Sequence, residues 1–224
     1  MITVHHLNNS RSQRILWLLE ELELAYEIKR YTRDPETKLA PPELRAVHPL
    51  GKSPVLTDGD ITVAESGAII EYVLDRYGAG RLIPPAGTPE RLRYTYWLHF
   101  AEGSAMPPLL LKLVFDKIET APMPFFVKPI ARGISKHVKS VLVEPNLARH
   151  LSFMEETLAG SEWFAGAQFT AADIQMSFPV EASRGRAGLD ASRPRLMGFL
   201  ESIHARPAYR RALDKGGEFS LSKF

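Results

Sequence analysis

The chain opens on a β-branched run, Ile2–Leu7, and passes a polar knot, Asn8-Asn9-Ser10-Arg11-Ser12. It then enters a stretch where Ile15, Leu16, Leu18, Leu19 and Leu22 recur at helical spacing, with Glu20, Glu21 and Glu23 mostly off that stripe. Tyr26–Tyr31 alternates like a half-buried strand. Strand, helix and strand within about thirty residues make a βαβ unit, whose strands run parallel. Residues 34–46 are polar and proline-rich, and a short helix over Pro42–Val47 is predicted, opened by proline in its first turn. Val55–Thr57 and Ile61–Val63 read as strands joined by a hairpin turn at Asp58-Gly59. A helix follows from Glu65-Ser66 through Ile69, Ile70, Val73 and Leu74 to Tyr77, with Gly78 as its stop.

Beyond this point the pattern changes. Residues 79–88 form a Gly/Pro linker, and from Pro89 onward strand periodicity disappears. One long helix is expected over Arg91–Phe115, bent at Pro107-Pro108. Further helices are expected at about 126–142, 145–159, 170–184, 192–204 and 207–214, with Gly216–Phe224 extended. The fold class is therefore α/β followed by all-α. A small α/β domain of order β-α-β-α-β-β-α spans 1–78, and an all-helical domain spans 89–224.

Composition narrows the functions. Lys and Arg total 28 against 26 for Asp and Glu, a net charge of +2, which gives no electrostatic footprint for nucleic acid. No apolar run approaches the roughly 20 residues that cross a bilayer, and the N-terminus lacks a signal-peptide pattern. The expectation is a cytoplasmic protein with no membrane partner. There is no cysteine, which removes disulfides, thiolate metal sites and a cysteine nucleophile; no metal site is expected.

Candidate chemistry collects at helix starts. The first turn of a helix has unpaired N–H donors and partial positive charge, and so attracts anions. Ser10 sits where a hydroxyl serves either as helix cap or as donor to a bound anion. Asn9 and Ser12 are rivals, Ser12 also as the cap. Arg11 and Arg14 raise the local potential, although Arg14 fits a structural salt bridge equally well. Glu65-Ser66 opens another helix. Thr170-Ala171-Ala172-Asp173 reads as a capping box stapled by Phe169 and Ile174, a folding device rather than a catalytic one. Ser53-Pro54 is a place for a cis peptide bond.

Four segments together resemble the cytosolic glutathione transferases, in order, over nearly the whole chain. They are Ser10–Arg14, His48–Leu56, Ala64–Ile69 and Phe169–Ile174. Glu102-Gly103-Ser104 and Met123-Pro124-Phe125 are similar to the serine-type bacterial and fungal branch. The resemblance implies a homodimer that takes glutathione as co-substrate and conjugates its thiolate to a small hydrophobic electrophile. It implies that Ser10 donates to the thiolate and that Lys52 meets the glycine carboxylate. It further implies that the backbone at Ser53-Pro54 pairs with the cysteinyl unit, and that Ser66 and Glu65 hold the γ-glutamyl carboxylate and ammonium. Glu102 would reach the ammonium in the partner subunit. Met106, Leu110, Leu113 and Phe178 would line the electrophile pocket. The family usually carries an apolar residue where this chain has Ser53. A free thiol has a pKa of about 8.5, and lowering it by about two units takes roughly 2.7 kcal/mol. A hydrogen bond to a charged acceptor supplies about 1.5–3 kcal/mol and a helix N-terminus about 0.3–1, so no metal is needed. Two alternatives stay open: a glutathione-dependent peroxidase or reductase, and a non-catalytic interaction module on the same fold.

Overall fold

The computed structural model describes residues 1–37, 39–217 and 219. The elements run β1 (Ile2–Leu7), α1 (Ser12–Glu21), β2 (Tyr26–Tyr31), α2 (Pro42–Val47), β3 (Val55–Asp58), β4 (Ile61–Ala64) and α3 (Ser66–Tyr77). Then come α4 (Pro89–Phe100), α5 (Met106–Thr120), α6 (Lys128–Val138), α7 (Glu144–Gly160), α8 (Ala171–Arg186), α9 (Pro194–Ala205) and α10 (Pro207–Gly216). A small mixed sheet with helices is thus followed by an all-helical part.

The sheet order is β2-β1-β3-β4. β1 pairs parallel with β2, Ile2 opposite Tyr26, because the crossover through α1 returns the chain in the same direction. β3 runs antiparallel to β1, and the β3–β4 hairpin turns on Gly59-Asp60, where Gly59 takes φ +59° at no steric cost. β4 is the edge strand and its first two residues are exposed. Alternation along β1 sends Ile2, Val4 and His6 toward α1, and Leu7 toward α2, where it packs with Tyr31, Leu44 and Val55.

Helix α1 is buried from Ser12 to Glu20. Its apolar side chains join one core that runs from Ile2 and Val4 through Ile69 and Ile70 into Trp97, Phe164, Ile174 and Phe199. Two carboxylates on its far end tie it to the last helix. Glu20 accepts from Arg211 and Lys215, and Glu21 from Arg206.

Three expectations need correction. The helix over Arg91–Phe115 is two helices, α4 and α5, joined by a π-type turn at Ala101–Ala105, and α5 continues to Thr120. The irregularity falls just before Pro107-Pro108, because the missing proline N–H groups leave the ladder free to shift register upstream. The helices expected at 126–142 and 145–159 are likewise continuous through a π-type turn at Lys139–Val143. Gly216 still belongs to α10, and Gly217 ends it with φ +91°. The rest of the expected extended tail lies outside the described residues, except Phe219.

Candidate active site

The carboxyl ends of β1 and β4, the start of β3 and the starts of α1 and α3 lie at one end of the sheet, the usual kind of place for ligands in an open α/β sheet. Ser10 lies in the turn between β1 and α1, almost wholly buried. Its Oγ accepts the Ser12 N–H at 3.2 Å, meets Ser12 Oγ at 2.7 Å and donates to Ser53 Oγ at 3.3 Å. Ser10 therefore satisfies one of the first free N–H groups of α1, the capping work considered for Ser12. Ser12 is instead fully buried inside the helix start, its Oγ 2.9 Å from His6 Nδ1. Asn9 stands beside it in the left-handed region, φ 49°, partly exposed.

Ser53 turns out to matter through its side chain. Its hydroxyl donates to the His5 carbonyl at 3.0 Å and accepts the Leu7 N–H at 3.3 Å, so it stitches the segment before Pro54 onto β1. The Ser53–Pro54 peptide is cis. Pro54 is buried, and Lys52 next to Ser53 is exposed. An apolar residue at 53 could make none of these bonds.

Helix α3 begins differently. Glu65 precedes it with φ 71° and ψ 128°, a conformation that costs a non-glycine residue energy and that is held only where surroundings impose it. Its exposed carboxylate makes no capping bond, and the first turn holds no acidic residue, so the N–H groups there stay open. Ser66 is buried and its Oγ accepts from Arg14 at 3.1 Å, which leaves the hydroxyl proton available to a ligand.

Arg14 is buried and divided among three acceptors: the Gln175 carbonyl at 2.6 Å, Ser66, and the Glu102 carboxylate. Arg11 reaches Glu102 at 3.0 Å, and both guanidinium groups stack on the Phe178 ring at 5.1 and 5.2 Å. Burial pushes the Glu102 carboxyl up, but Arg14 and Arg11 outweigh burial and hold its pKa below the ordinary value, so it is ionised. Glu102 is thus engaged by its own chain's arginines. The structural salt bridge considered for Arg14 is present.

Met106 is buried with Leu109, Val143, Leu147, Phe178 and Ala182 in a second core cluster. Leu110 points to solvent. Of the three stripe positions on α5, Met106 is buried, Leu113 partly buried and Leu110 exposed. Thr170 and Asp173 lie apart from the site and form the reciprocal capping box of α8. Asp173 also accepts the Phe164 N–H at 2.9 Å.

Contacts therefore join Ser10, Ser12 and Ser53 in one group and Arg14, Ser66 and Glu102 in another, with Asn9, Lys52 and Glu65 adjacent in the chain. His6 was missed. The signal for it lay in the alternation of β1, which places it on the same buried face as Ile2 and Val4. Among the described residues no cluster of His, Asp or Glu is arranged to hold a metal ion, and no helix is long and apolar enough to cross a membrane.

A mixed four-stranded sheet whose first βα turn faces a cis-proline loop, backed by a helical layer, defines a thioredoxin-like domain joined to a helical one. The models of the glutathione S-transferase N-terminal and C-terminal domains match residues 1–75 and 114–207. Glutathione S-transferase 3 of Schizosaccharomyces pombe is 37% identical over 224 residues, 100% of this chain and 91% of that protein. Glutathione S-transferase 1 of Saccharomyces cerevisiae is 31% identical over 96% of this chain and 95% of its own. A crystal structure of a glutathione S-transferase from Actinobacillus pleuropneumoniae superposes with a TM-score of 0.79 at 36% identity, covering 100% of this chain and 97% of that one. The chain belongs to the glutathione S-transferase family.

Proposed function

We propose that the protein is a serine-type glutathione transferase, with residues 1–78 binding glutathione and residues 89–224 supporting the second substrate. Glutathione is the co-substrate. Its cysteinyl backbone pairs with the segment at Ser53-Pro54 by strand addition. Its γ-glutamyl carboxylate docks on the open N–H groups of α3 and the Ser66 hydroxyl, where Arg14 adds positive charge. Glu65 takes the ammonium and Lys52 the glycine carboxylate. The sulfur then lies against Ser10, and the thiolate attacks a hydrophobic electrophile.

The observation that carries this reading is the pairing of two helix starts, α1 with a polar hydroxyl cluster and α3 left open, beside one cis-proline loop. A free thiol is only a few per cent ionised at neutral pH, so a donor at the sulfur and a bound, oriented nucleophile raise the rate together. The enzyme works as a homodimer. With Met106 buried, the electrophile is held nearer Arg11 and the Phe178 edge than the α5 stripe suggested.

The test is retention on immobilised glutathione together with conjugation of a chloro-nitroaromatic. Ser10→Ala should keep the first and lose the second by roughly 10–100-fold, the worth of one hydrogen bond to a charged acceptor. Retention with peroxide turnover and no conjugation would move the reading to a peroxidase. Failure to bind glutathione at all would leave only the fold.

A further inference from the structure

The near-zero net charge of the chain hides a one-sided stretch. From Ala121 to Val143 there is no Asp or Glu, while Lys128, Arg132, Lys136 and Lys139 are all basic. Lys139 is used inside the protein, on Asp116 at 2.6 Å and Glu119 at 2.9 Å, and Lys112 takes the other Asp116 oxygen at 2.7 Å. Among the described residues Lys128, Arg132 and Lys136 meet no carboxylate, and all three are exposed. The same stretch holds large apolar side chains in solvent: Phe125 is 84% exposed, Phe126 64%, Ile130 65%, Ile134 58% and Val141 66%.

Local structure explains the display. Pro122 and Pro124 stop α5 from running on into α6, and the chain turns there, the Pro124 carbonyl accepting the Val127 N–H at 3.0 Å. Phe125 and Phe126 sit at the apex, ring edge to ring face, with centroids 5.6 Å apart. Helix α6 then packs against α5 through polar positions. Ser135 is fully buried, its hydroxyl donating to the Phe115 carbonyl at 2.9 Å, and Lys139 is buried just beyond the helix end. A helix on the surface of a water-soluble domain ordinarily turns its apolar row to the core. Helix α6 does the reverse: Ile130 and Ile134, four residues apart and so on one face, point outward. Lys128, Arg132 and Lys136 share that spacing and form a second, basic row.

Apolar side chains turned to water, beside cations with no carboxylate among them, match the headgroup layer of an anionic bilayer. We propose that residues 122–141 are a docking surface for such a bilayer. Phe125, Phe126, Ile130 and Ile134 enter the boundary between headgroups and acyl chains. Lys128, Arg132 and Lys136 lie within electrostatic reach of the lipid anions, since the screening length of about 8 Å at physiological salt is comparable with the width of a helix. A second copy of the chain fits this face less well, because a two-fold contact would set the acid-free stretch against itself, like charge on like. The contact is peripheral; no helix among the described residues is long and apolar enough to cross a membrane. Whole-chain charge and the lack of a spanning run, which argued against a membrane partner, register neither a local basic row nor a partly inserted loop. Docking here uses no residue of the glutathione site.

The test is flotation of the full chain with vesicles of phosphatidylcholine alone and of phosphatidylcholine with phosphatidylserine, at low and high salt. The expected result is binding to the phosphatidylserine vesicles, roughly tenfold or more weaker to the neutral ones, and weakened by salt. Replacing all three cations, Lys128→Gln with Arg132→Gln and Lys136→Gln, should weaken binding on the order of a hundredfold. Phe125→Ser with Phe126→Ser should weaken it by a similar factor at either salt concentration. Both variants change exposed side chains, so melting is the folding control and should stay as in the wild type. Absence of flotation with phosphatidylserine vesicles overturns the proposal, as does equal flotation with both vesicles or flotation that neither variant reduces. Sedimentation of the same samples without lipid exposes the competing occupant: if the phenylalanine variant dissociates a larger species, the face joins copies of the chain and the proposal falls.

Discussion

Two helix starts in this molecule are built from the same vocabulary and do opposite things. At α8, Asp173 accepts the Thr170 N–H at 2.8 Å, the Thr170 hydroxyl at 3.1 Å and the Phe164 N–H at 2.9 Å, so the end is closed and fully buried. At α3, Glu65 makes no capping bond and sits in a costly backbone conformation, while Ser66 keeps a proton to give. A closed start spends its donors on the protein's own stability. An open start keeps them for an anion. The comparison separates folding from function more cleanly than burial does, since Ser66 and Asp173 are both buried.

The comparison can be broken from either side. The largest effect is expected for Asp173→Ala, which orphans two buried backbone donors at about 1–3 kcal/mol each. At roughly 2–4 °C per kcal/mol for a chain of this size, the melting temperature should fall by about 4–24 °C. Glutathione affinity of the folded fraction should not change. Ser66→Ala should show the reverse, weakening glutathione binding by roughly tenfold or more, read by calorimetry, with little change in melting. If Ser66→Ala melts early and binds normally, the α3 start is a cap after all.

A smaller effect follows from pH. Burial raises the Asp173 carboxyl from 3.8 to about 6, against the hydrogen bonds that pull it down. As pH rises from about 4 to about 6, the unfolded chain gives up this proton before the folded one does. The group's contribution to stability therefore falls across that window and is level above it. The melting temperature of the wild-type protein minus that of Asp173→Asn, followed from pH 4.5 to 6.5, should decline. A flat or rising difference would mean the hydrogen bonds outweigh burial.

The sequence was most legible where period and punctuation agree. The alternation of β1 and β2, the leucine stripe of α1 and the Asp58-Gly59 turn carry the sheet and its parallel pair, and Thr170 with Asp173 spells the α8 cap. What was hidden lies where side chains distant in sequence meet. Glu102 and Arg14 are 88 residues apart, and no local pattern shows that they pair. Met106 fits a pocket and a core equally well by period, and only packing against Val143 and Phe178 decides. His6 reads as one more strand residue, and only the structure sets its ring against Ser12. The bend expected at Pro107-Pro108 is taken up by the π-type turn at Ala101–Ala105, upstream of the prolines, because a proline frees carbonyls that precede it in the chain.

The clasp between α1 and α10 joins residues 185 to 195 positions apart. Arg206, Arg211 and Lys215 are synthesised long after Glu20 and Glu21. A nascent sheet with α1 alone would hold two carboxylates against apolar surface with no counter-charge, an arrangement that proteins do not tolerate well. The sheet and α1 consequently stay uncompensated until those later residues dock, and a truncation that removes α10 should unsettle α1.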